Sequence, residues 1–120
     1  MLSLLASVLV AFVAVLHLAF FVLESFLWTK PAGRRIFGLS RELAENTKSL
    51  AANQGLYNAF LAAGLIWGLV PSVHAFAVRV FFLSCVVIAG IVGGFTAKRS
   101  ILIVQALPGA IALLVVLLTR

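Results

Sequence analysis

Apolar stretches at 2–28, 49–70, 75–96 and 101–118 leave only the turns 71–74 and 97–100 and one longer connection, 29–48, between them. Each stretch is close to the roughly 20 residues that one helical membrane crossing needs. Turns this short make consecutive helices antiparallel neighbours. A water-soluble domain is about 45–50% apolar and about a quarter charged, because its surface must be wetted. Here 64% of residues are hydrophobic, 10% are charged and the mean hydropathy is +1.24, which excludes that class. The expected fold is therefore all-α: a polytopic membrane protein, one domain over 1–120, built as an antiparallel four-helix transmembrane bundle. The run from Leu2 has no Lys or Arg ahead of it and exceeds the roughly 7–15 apolar residues of a signal peptide, so it is read as the first membrane helix.

Local chemistry sets where the helices stop. Lys30-Pro31-Ala32-Gly33 combines a fixed φ with a flexible glycine, so the first helix is expected to end near Trp28. Ser40 is a candidate N-cap with Glu42 in the turn that follows, and good helix formers continue into the second span. One helix is expected from Arg41 to Leu69. At 1.5 Å per residue it would be about 44 Å long, more than the hydrocarbon layer, so its first turns would project from the membrane. Pro108-Gly109 predicts a kink in the fourth span.

The net charge of +6 would suggest nucleic acid in a soluble domain, but the basic residues flank apolar runs and read as topology signals; no nucleic-acid partner is expected. Lys30, Arg34, Arg35, Arg41, Lys48, Lys98 and Arg99 fall on one side of a four-span chain, with Arg79 and Arg120 on the other. Seven against two puts the 29–48 connection in the cytoplasm and both termini outside. Arg79, one turn inside the third span, is expected to snorkel to the outer interface. Cys85 lies alone in an apolar run, where a reduced, packed thiol is the ordinary state. Gly64 and Gly68, and Gly90, Gly93 and Gly94, have the spacing that lets helix backbones approach closely in lipid. They are expected to form packing seams, within the chain or between copies in a dimer or trimer.

Polar groups cost free energy in lipid, so those inside the spans are the informative ones. On the first helix His17, Phe21, Glu24 and Trp28 share a stripe. With Trp28 at the cytoplasmic boundary, Glu24 lies about 6 Å and His17 about 16 Å inside. The second span opens with Asn53, Gln54, Tyr57 and Asn58, two i, i+4 pairs at about the depth of Glu24. Gln105 on the fourth span lies one turn in from the same side. Together these residues would form a polar pocket open to the cytoplasm, floored by His17 and walled by Phe20, Phe21, Trp28 and Phe60. Each also admits a plain structural role. The amides can bond helix to helix, His17 can bond to a neighbouring helix, and Glu24 can pair with Lys30, Arg34 or Arg35. No metal-ligand set, activated nucleophile or phosphate loop is present, and no cofactor is expected.

The segments ESFLWTKPAGRRIFGLS and LAANQGLYNAFLAAGLIWGL resemble the small bacterial membrane proteins grouped as domain of unknown function 1304, over essentially the whole chain. The resemblance implies a four-span protein of the bacterial inner membrane, with its marked polar motif at Asn53, Gln54, Gly55, Tyr57 and Asn58. It implies no activity. Small multidrug-resistance transporters are similar in length, span number and first-helix carboxylate, although Glu24 lies near the helix end. The four-helix enzymes of eicosanoid and glutathione metabolism are similar in architecture, but their arginine-containing second-helix motif has no counterpart here. Both likenesses are architectural.

The leading expectation is binding, with transport as its extension, of a small amphipathic or lipophilic ligand by Glu24, Trp28, Asn53, Gln54, Tyr57, Asn58 and Gln105, beside membrane lipid as a partner. Transport would be proton-coupled through Glu24 and His17. The alternatives are an intramembrane enzyme with His17, Glu24 or Tyr57 as its catalytic groups, and a structural or assembly subunit held by its glycine seams.

Overall fold

Ser40 opens the longest helix by accepting a hydrogen bond from the Leu43 N–H at 3.1 Å, which satisfies one of the donors a helix start leaves free. That helix is unbroken from Arg41 to Leu69, as the capping signal and the helix formers that follow it predict. The computed structural model describes all 120 residues, with five α-helices and no strand: α1 (Leu2–Ser25), α2 (Pro31–Phe37), α3 (Arg41–Leu69), α4 (Ala75–Thr96) and α5 (Leu107–Leu118).

The short helix α2 lies within the basic connection 29–48. Pro31 sits in its first turn, where a missing N–H costs nothing, and Gly38 ends it at φ 66°, ψ 39°, the left-handed geometry that favours glycine. The Gly38 and Leu39 N–H groups both turn back to the Arg34 carbonyl. Gly33 is buried, and a Cβ there would strike the Leu27 carbonyl, so only glycine lets α2 lie against the turn that follows α1. Accordingly α1 ends at Ser25, three residues before Trp28, with a turn between it and α2.

Ahead of α5, residues Leu102–Ala106 form a π-helical turn, and the Leu107 N–H bonds the Leu102 carbonyl. Pro108 has no N–H to give the carbonyl four residues back, and its ring crowds that carbonyl. The wider turn lies just before the proline, at the place where the kink is expected.

The chain divides into two compact units. One comprises Met1–Ala14 and Leu61–Arg120, the other Val15–Phe60. In the first, Ala6, Val10, Val13 and Ala14 of α1, Leu65 of α3, Leu83 and Val86 of α4, and Ala112 and Val116 of α5 make one core. Glycines set its closest approaches: a Cβ on Gly90 would lie 2.5 Å from the Ala106 backbone nitrogen, and one on Gly109 would lie 2.7 Å from a Val86 methyl. Gly94 meets Leu102 and Gly64 meets Phe82 in the same way. These seams are filled by the chain's own atoms.

Arg79 is held by its own chain at the end where α3 stops and α4 starts. Its Nε donates to the Gly68 carbonyl at 2.6 Å and a terminal nitrogen donates to Ser7 Oγ at 3.2 Å. Gly68 lies in the last turn of α3, where carbonyls have no partner within the helix, and a cation there is favoured by the helix dipole.

Only α1 and α4 are both long and apolar enough to cross a membrane by themselves; the apolar helix of 102–118 is shorter, and α3 carries too many polar residues. The most apolar stretches of α1 and α4 are only 28% and 17% buried within the chain. A core helix of a soluble protein is mostly covered, so these two helices point to membrane association.

Candidate functional site

Within Val15–Phe60, α3 turns a narrow stripe inward: Ala44, Ala51, Gly55 and Asn58 are all buried. Their spacings of seven, four and three residues keep them on one helix face. All but Asn58 are glycine or alanine, which lets α3 come close to α1. A Cβ on Gly55 would crowd Ser25 Oγ and lie 3.2 Å from the Phe21 carbonyl and 3.3 Å from Glu24 Cβ. One turn further along, the Asn58 side-chain amide donates to Glu24 Oε1. The acid of the first apolar helix and the last amide of the NQGLYN motif are thus joined by a hydrogen bond, which makes burying the acid tolerable.

Beside this pair lies a cavity of about 240 Å³. Its walls are Glu24, Ser25, Phe26, Trp28 and Thr29 from the end of α1 and the turn after it, with Lys48, Ser49 and Ala52 from α3. Trp28 is fixed on both sides: its Nε1 donates to Thr47 Oγ1 at 3.0 Å, and its ring packs on Phe37 of α2 at 4.8 Å between centroids. The Thr47 hydroxyl in turn donates to the Leu43 carbonyl at 2.7 Å. With its N–H already engaged, Trp28 offers the cavity an aromatic surface. Lys48 pairs with Glu45 at 3.2 Å, both side chains more than half exposed.

Of the residues singled out in the sequence, Glu24, Trp28 and Asn58 come together here. Asn53, Gln54 and Tyr57 lie on exposed faces of α3, with Tyr57 in an edge-to-face contact with Phe60 at 6.0 Å. His17 is fully buried, its ring edge-to-face with Phe20 at 5.5 Å, and does not line the cavity. Gln105 is on the π-helical turn Leu102–Ala106, in the other unit, and is half-buried. Ser25, Thr29, Lys48 and Ser49 were not singled out as pocket residues. The signal for them was the hydroxyl and amine content of ESFLWT and TKS, at the two helix segments that meet around Glu24.

A family model described as Protein of unknown function (DUF1304) matches residues 11–117. The chain belongs to the DUF1304 family. No curated protein and no solved structure matches it. Every residue of the Glu24, Trp28 and Asn58 cluster, and all of the cavity lining, falls within the part of the chain that the DUF1304 model covers.

Proposed function

We propose that this protein binds a small amphipathic or lipophilic ligand in the cavity beside Glu24, at the polar end of a helical membrane bundle. The observation that carries the reading is the Glu24–Asn58 hydrogen bond at the edge of a cavity walled by hydroxyls, an amine and two aromatic rings. A carboxylate with one oxygen engaged keeps acceptor sites for a ligand, and the aromatic faces suit an apolar body.

The proposed setting is the bacterial inner membrane, crossed four times as an antiparallel bundle, with 29–48 cytoplasmic and both termini outside. Support comes from the seven-to-two distribution of basic residues. Support comes also from large apolar side chains uncovered along α1, α3, α4 and α5, such as Phe12, Trp67, Phe81 and Leu114. Association of copies into a dimer or trimer is part of the proposal. Asn53, Gln54 and Tyr57 stand uncovered by their own chain, and amides are self-complementary donors and acceptors.

Native mass spectrometry of the protein purified in nanodiscs tests this, wild type beside the Glu24→Gln, Asn58→Ala double variant. A small molecule retained by the wild type and absent from the variant is the expected result, and the same spectrum reads the number of subunits. Identical ligand-free spectra, with the fold intact, would rule the reading out.

A further inference from the structure

The cavity carries charge of both signs on different elements, Glu24 from α1 and Lys48 from α3, and its lining also holds the hydroxyl residues Ser25, Thr29 and Ser49. A plain cation placed there would meet the Lys48 ammonium, and a plain anion would meet the Glu24 carboxylate; each carries a like-charge cost that selects against it. A ligand with both charges satisfies both walls. Lys48 is available for this role, because its present partner, Glu45, is a solvent-exposed neighbour on the same helix and such pairs are weak.

Size narrows the chemistry further. Sites that enclose drug-sized molecules measure about 300–1,000 Å³. At about 240 Å³ this cavity is below that range and suits a headgroup, with the rest of the ligand outside. Phe26 both lines the cavity and is 62% exposed, so the cavity opens beside apolar surface where an acyl chain can lie. Besides the Lys48 ammonium, the lining offers the hydroxyls of Ser25, Thr29 and Ser49, a donor set that matches the many acceptor oxygens of a phosphate. On the Glu24 side, Asn58 engages Oε1 and leaves the carboxylate's other acceptor positions open, which favours a primary ammonium with N–H groups to donate.

We infer that the ligand's polar end is a zwitterion joining a primary ammonium, held by Glu24, to a phosphate, held by Lys48 and the neighbouring hydroxyls. The inference rests on the reading of this cavity as the ligand site. The same headgroup occurs on a membrane lipid and as a free phosphoethanolamine ester, and the experiment separates the two.

The test is retention by the full-length protein in nanodiscs, read by native mass spectrometry. The probes are phosphatidylethanolamine, phosphatidylcholine, phosphatidylglycerol and an alkylammonium of matched chain length, with soluble glycerophosphoethanolamine as the chain-free probe. Phosphatidylethanolamine is expected to be retained about tenfold better than the other three lipid probes, the scale of one lost charged contact. Glu24→Gln removes that preference. Lys48→Ala, at an exposed position that the fold does not need, also removes it and raises retention of the alkylammonium. Equal competition by glycerophosphoethanolamine assigns the free ester as the source, and its failure to compete assigns the lipid; both support the headgroup. Glu24-dependent retention of the alkylammonium or of phosphatidylglycerol overturns the zwitterion and leaves the cavity reading standing, as does equal retention of phosphatidylcholine for the primary ammonium. No Glu24-dependent retention of any probe overturns both.

Discussion

The two units of the chain use small residues for different ends. In Met1–Ala14 with Leu61–Arg120, Gly90 and Gly109 bring apolar helices together around a core that contains no acid, and Arg79 is tied to a helix-end carbonyl. In Val15–Phe60, Gly55 and Ala51 bring α3 against α1 at the one place where an acid and an amide meet, and all three acids of the chain lie in this unit. The same close backbone approach therefore yields cohesion in one region and a polar site in the other. What decides between them is what the glycine brings near: Ala106 and Val86 in the first case, and in the second Glu24, which Asn58 one turn further along then meets.

The largest expected effect is in the cohesive region. Gly90→Leu places side-chain atoms where the Ala106 backbone already lies, and overpacking of this kind should cost about 3 kcal/mol in a detergent unfolding titration followed by circular dichroism. Arg79→Met removes the donors to the Gly68 carbonyl and to Ser7 and should cost about 2 kcal/mol in the same titration. Both variants should keep whatever ligand co-purifies, provided they are assayed under folding conditions. Retention lost in either one would break the separation between the two regions.

Asn58→Ala sharpens the comparison from the other side. It leaves the part-buried Glu24 oxygen without its donor, for about 1–2 kcal/mol of stability, and should abolish ligand retention, an effect out of proportion to the destabilisation. Smallest of all, Ser40→Ala should cost about 1 kcal/mol by uncapping α3, with ligand retention unchanged. A larger loss would mean that the start of α3 is coupled to the site.

Much of the architecture was legible in local chemistry. The Ser40 cap, the helix formers Leu43, Ala44 and Glu45 that follow it and the proline at 108 act through their own backbone, so the sequence displays them directly. The short helix α2 was legible too, as a proline at its start and a glycine at its end, but its seven residues sit inside a basic connection where charge draws attention first. The site was harder. Asn53, Gln54, Tyr57 and Asn58 stand close together in the sequence, yet a helix distributes four such residues over different faces, and Asn58 alone lies in the buried row. The row is marked by Ala44, Ala51 and Gly55, small residues at helical spacing that identify which face another helix can approach. The partner of Arg79 was hidden for a related reason: the carbonyl it meets belongs to Gly68, eleven residues back across a turn, and nothing in its own segment announces it.

The central claim, that the cavity beside Glu24 takes an amphipathic ligand, is tested most directly by the fluorescence of Trp28 itself. Trp67→Phe leaves Trp28 as the sole tryptophan, lining the cavity. Titration of delipidated protein with a bacterial lipid extract should give a saturable change in its emission, absent in Glu24→Gln and in Asn58→Ala. A change that never saturates, or one of equal size in all three proteins, would contradict the account.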